Sequence, residues 1–128
     1  MTAIIAPQTI TLTIPGTLST SSIVSVAMPF KGVITGAYLA VTGAPAGSAL
    51  TADLKVGADV AAAFSIAAAG YSDEGTLTAA NVDFAKGDLV HLDVSAVGSG
   101  TAGTGATVAF TVSEVSDATH IQAAGVND

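Results

Sequence analysis

Apolar and polar residues alternate along most of the chain in short runs, the period of a strand with one face in a core and one in water. Residues 49–56 show it most cleanly: Leu50, Ala52, Leu54 and Val56 fall on one side, Thr51, Asp53 and Lys55 on the other. Residues 8–14 repeat the pattern, with Ile10, Leu12 and Ile14 inward and Thr9, Thr11 and Thr13 outward. Residues 89–97 set Val90, Leu92, Val94 and Ala96 against His91, Asp93 and Ser95. Residues 106–112 set Val108, Phe110 and Val112 against Thr107, Ala109 and Thr111, and residues 23–28 offer Val24, Val26 and Met28 to a core. Residues 32–41 are apolar on both faces, so this strand is predicted to be the more deeply buried.

The breaks between these runs carry turn chemistry. Pro15-Gly16 is predicted to end the first strand, because proline cannot donate to a ladder and glycine accepts turn geometry. A polar loop (17–22), a corner at Pro29-Phe30-Lys31-Gly32, a tight connection (42–48) and a hairpin turn at Gly57-Ala58-Asp59 follow. Residues 60–66 then return antiparallel, with Phe64 and Ile66 as their heaviest core candidates. The alanine runs 61–63 and 67–69 would also suit a helix. Gly57 and Gly70 bracket them and no charged face accompanies them, which favours strand. Residues 70–75 read as a loop, 75–77 as a short strand, 78–84 as irregular with room for one helical turn, 84–88 as a turn and the glycine-rich run 98–105 as a flexible hairpin tip.

Seven or eight short strands at fairly regular spacing predict an all-β fold, a two-sheet antiparallel β-sandwich of jelly-roll type, with a seven-stranded immunoglobulin-like sandwich as the alternative. At 128 residues the chain reads as one domain, 1–128, with 1–8 as a docking arm and 116–128 as a tail or edge segment.

Composition narrows the function. Only 10% of residues are charged, and the net charge is -7, with Lys31, Lys55 and Lys86 the sole cations. A nucleic-acid partner needs a basic face to displace counterions, and none can be assembled from three lysines. Anionic membranes are disfavoured for the same reason, and no window approaches the ~20 apolar residues of a membrane-spanning helix. The start of the chain, Met1 to Pro7, lacks a basic start and a long apolar run, so it does not read as a signal peptide. With no cysteine, disulfides and thiolate metal sites are excluded.

His91, Asp93 and Ser95 form the one trio that suggests nucleophilic catalysis. Residues at i and i+2 of a strand stand about 6.6–7 Å apart with parallel side chains, whereas successive members of a triad must touch. The trio therefore reads as a polar outer face, and the chain as no enzyme. The acids Asp53, Asp59, Asp73, Glu74, Asp83 and Asp88 are scattered through turns and form no calcium loop. Asp73-Glu74 is the most that could contribute to a weak cation site. His91 and His120 have no zinc spacing, and the run 98–105 lacks the Gly-Lys-Ser/Thr ending of a phosphate loop. No cofactor and no metal is expected. Tyr38 and Tyr71 could line a sugar groove, although Tyr38 reads more readily as core or interface.

Four pieces carry a resemblance. They are Gly32-Val33-Ile34-Thr35-Gly36-Ala37-Tyr38; Ala44-Pro45-Ala46-Gly47-Ser48-Ala49-Leu50 with Asp53-Leu54 and Gly57; Ser65-Ile66-Ala67-Ala68-Ala69-Gly70; and Phe84-Ala85-Lys86-Gly87-Asp88 leading into residues 89–97. Over residues 23–112 the chain resembles small virion proteins of tailed bacteriophages, of the capsid-decoration or head-fibre type. Ala46 and Ser65 stand where members of that family often carry Thr and Pro. The resemblance implies a non-enzymatic β-sandwich in a virion, often a homotrimer, whose partner is the major capsid protein or another virion protein. Ile4, Ile5 and Pro7 in the apolar first segment, with Tyr38 and Tyr71, are the interface candidates. A glycan-binding or adhesin module of a phage tail or fibre is the alternative.

Overall fold

The computed structural model describes residues 8–115. Ten strands and one 3-10 turn follow in order: β1 (Gln8–Thr17), β2 (Ile23–Ala27), β3 (Gly32–Gly43), β4 (Leu50–Val56), β5 (Asp59–Ile66), β6 (Ser72–Glu74), β7 (Thr76–Leu77), the turn Ala79–Asn81, β8 (Asp83–Phe84), β9 (Leu89–Val97) and β10 (Thr104–Glu114). They form two five-stranded antiparallel sheets. One runs β1-β10-β3-β6, with β8 also on β3; the other runs β2-β9-β4-β5-β7. Seven strands have five residues or more, and β6, β7 and β8 have two or three. With those three short pieces taken as one run between β5 and β9, the strand order in the two facing sheets is that of a jelly roll: the chain crosses between sheets from β1 through to β4 and again from β9 to β10, while β4 and β5 form a hairpin within one sheet.

The alternation read from the sequence forms the core. Leu39, Val108, Phe110 and Val112 of the first sheet face Leu50, Leu54, Phe64, Ile66, Val90 and Leu92 of the second, and all are buried. Leu18 and Met28 close the core from the loops that flank β2. Among the described residues no polar or charged residue is buried as a whole.

Several expectations are corrected, and bulges explain most of them. β3 is not apolar on both faces: Ile34, Ala37, Leu39 and Val41 are buried, whereas Thr35, Tyr38, Ala40 and Thr42 are exposed. Its pairing with β10 slips between Ile34↔Val112 and Gly36↔Thr111, leaving Thr35 as an extra residue. That bulge shifts the inward phase by one, so no single period describes the strand. On β9, Ser95 is the extra residue between Val94↔Ala52 and Ala96↔Thr51. Val97, rather than Ala96, therefore packs against the core. β1 continues through Pro15-Gly16 to Thr17, with its register shifting between Ile14 and Thr17. Proline is tolerated there because β1 is an edge strand.

The loop predicted at 70–75 contains β6, and β10 begins at Thr104, inside the predicted hairpin tip. Residues 98–103 are no hairpin, because β9 and β10 lie in different sheets. They cross between sheets and are pinned to the β3–β4 crossover. Ala46 N donates to Thr101 O at 2.9 Å, and Gly100 N donates to Ala46 O at 2.8 Å. The alanine runs form strand β5 and the turn after it; no α-helix occurs among the described residues.

Candidate functional site

The outer face of the second sheet carries the polar trio. His91, Asp93 and Ser95 project from β9 as expected, and Asp93 and Ser95 are engaged by different partners. Lys55 Nζ donates to Asp93 Oδ2 at 3.1 Å. The Ser95 hydroxyl donates to the Thr51 carbonyl at 3.2 Å and lies 2.8 Å from Thr51 Oγ1. His91 is in register with Ser25 of β2 on one side and Lys55 of β4 on the other. Its Nδ1 is buried without a hydrogen-bond partner. No hydrogen bond joins the three residues, whereas proton transfer from a nucleophile requires direct contact with its base. The arrangement is a ladder of cross-strand pairs.

The turn acids act on the backbone. Asp73 Oδ2 accepts from Ser65 N at 2.8 Å, tying β6 to β5 across the two sheets, and Asp88 Oδ2 accepts from Ala85 N at 2.8 Å, closing the turn before β9. Among the described residues no group of three or more His, Asp or Glu gathers in a way that could hold a metal ion. Asp73-Glu74 does not extend into one.

The outer face of the first sheet is different in kind. Three rows cross it: Thr9, Thr111 and Gly36; Thr11, Ala109, Tyr38 and Glu74; Thr13, Thr107, Ala40 and Ser72. Between Gln8 and Thr17, Gly32 and Gly43, and Thr104 and Ser113, these strands carry no charged residue. Tyr38 rises from this floor of threonine and alanine with 57% of its surface exposed, which corrects its placement in a core. Tyr71 is 59% exposed just before β6, where its carbonyl accepts from Val41 N. The ring pair among the described residues is Phe30–Phe84, at 5.9 Å, and neither tyrosine joins it. Ile4, Ile5, Pro7 and His120, with the segment 116–128, lie outside the described residues.

One feature of this surface went unread in the sequence. From Met1 to Phe30 there is no Asp, Glu, Lys, Arg or His. The fold places β1 and β2, both from this stretch, at the edges of the two sheets on one flank of the sandwich, in contact with each other. The opposite flank is built from β6, β7 and β8 and carries Asp73, Glu74 and Asp83. Counting charges along the chain would have revealed the blank stretch, but not that it becomes one side of the molecule.

No protein family and no curated protein matches this chain.

Proposed function

We propose that this chain is a structural virion protein of a tailed bacteriophage, a capsid-decoration or head-fibre subunit that assembles as a homotrimer on the major capsid protein or another virion protein. The observation that carries the reading is the character of the surface. On one sheet, β1, β3 and β10 present threonine and alanine around Tyr38, with Glu74 of β6 as the neighbouring acid, and on the other Asp93 and Ser95 are held by Lys55 and Thr51. Such a surface suits repeated contacts between neighbouring subunits, where small side chains allow close approach. The acidic remainder keeps many copies on one particle soluble.

The test is to add the purified chain to phage heads assembled without it. Co-sedimentation at a fixed ratio to the capsid protein, with a rise in the temperature at which the heads open, is the expected result. Heads that neither bind the chain nor gain stability would remove the reading.

Exposure of both tyrosines favours one second reading, a glycan-binding module of a tail or fibre, since aromatic faces stack on sugar rings. Binding on a glycan array that is lost in Tyr38→Ala or Tyr71→Ala would support it, and a blank array would not.

A further inference from the structure

We infer that the charge-free β1/β2 flank is where copies of this chain meet, the open edge of β1 in one copy lying against the same flank of the next. Among the described residues β1 is a ten-residue edge strand paired on one side, with β10, and β2 pairs with β9 alone. Their outward backbone donors and acceptors have no strand partner among the described residues. Natural edge strands are blunted by short length, lysine or inward charge. β6, β7 and β8 on the far flank are short, and two of them carry acids. β1 and β2 carry no charge, and their blunting is confined to Pro15 and the irregularity beside it.

The core beneath this flank is incompletely covered. Ile10 and Ile14 of β1 and Val24 and Val26 of β2 point between the sheets yet stay only partly buried, and Ile23 is 58% exposed at the rim. An added strand would cover them.

Charge selects the occupant. Two chains of net charge -7 repel wherever their acids face each other. β1 and β2, which carry no ionisable side chain, let identical copies approach without burying an unpaired charge on either strand. Size agrees. A ten-residue strand is about 34 Å long and the sheets lie about 10 Å apart. The flank alone is thus about 340 Å², so an interface of the roughly 800 Å² per partner that stable association needs also takes in the adjoining threonine face of β1 and β10.

This inference sharpens the oligomer part of the proposed function and is independent of the virion part. Heads that fail to bind the chain leave it standing, whereas a monomeric chain that binds heads removes it alone. The experiment is light scattering on the full chain and two paired variants. Thr11→Asp with Ser25→Asp charges the flank; Thr76→Asp with Ala80→Asp adds the same charge on the far side. All four positions are exposed, and thermal melting checks the fold.

The expected result is a multiple of the 12.3 kDa chain mass for the wild type and the far-side variant, and loss of mass to 12.3 kDa for the flank variant. A third variant, Thr11→Lys with Ser25→Lys, is expected to dissociate as well, although it lowers the net charge; it carries the test if the aspartates impair folding. A monomeric wild type, flank variants that keep the wild-type mass, or a far-side variant that dissociates equally would each overturn the inference.

Discussion

Asp53 and Asp93 stand directly opposite each other on β4 and β9, and Lys55, diagonal to the pair, donates to Asp93 Oδ2 at 3.1 Å. Like charges facing across a ladder destabilise it, and the lysine offsets this. Removing either side of that balance should move stability in opposite directions. Lys55→Met is expected to destabilise the protein by up to about 1 kcal/mol and Asp53→Asn to stabilise it by a few tenths, because both groups of the ion pair remain partly exposed. Urea unfolding of the two variants checks this, and added salt should narrow the difference between them.

Phe110 is the largest fully buried side chain and lies in register between Ile10 and Ala37, at the centre of the first sheet. Phe110→Ala is expected to cost about 3–5 kcal/mol through lost burial and an unfilled cavity. Domains of this kind have roughly 5–15 kcal/mol in total, so the variant should lose much of its stability. Denaturant titration reads the loss directly.

Gly98 and Gly57 both hold a positive φ, but only Gly98 is hemmed in. A Cβ there would meet Thr101 O at 2.6 Å and Ala46 O at 3.1 Å, whereas at Gly57 it would meet nothing within 4 Å. Gly57→Ala is expected to cost about 1 kcal/mol from backbone strain alone. Gly98→Ala should cost more, because it must also push apart the two crossovers. A comparison of their melting temperatures separates the two effects.

Tyr38 buries too little surface within the chain to support it. Tyr38→Ser is expected to leave unfolding within about 0.5 kcal/mol of wild type. If the proposed virion contact includes this residue, binding to heads should weaken about 30-fold, the loss of about 2 kcal/mol typical of a central interface tyrosine. Equal binding by the variant would place the contact elsewhere.

The inward residues of β1, β4 and β10 were legible because a half-buried strand permits only one spacing. Ile10 and Leu12, Leu50 through Leu54, and Val108 through Val112 each follow it without interruption. The same rule failed at Thr35 and Ser95. A bulge there adds one residue, visible only in the register with the partner strand. The polar trio was legible as an outer face for the same reason, but its actual partners, Lys55 and Thr51, come from β4 and are set by register.

The sequence by itself determined the seven longer strands, the inner and outer faces of those without a phase shift and the absence of a charged residue from the first thirty positions, because these depend on the order of side chains along one chain. Only the tertiary structure decided which consecutive strands cross between the two sheets and that residues 98–103 are a pinned crossover. It alone set Asp53 against Asp93 and brought β1 and β2, from the uncharged stretch, to the sheet edges of one flank. Those outcomes depend on long-range pairing, in which each strand finds partners far away in the chain and a one-residue slip redirects every side chain beyond it.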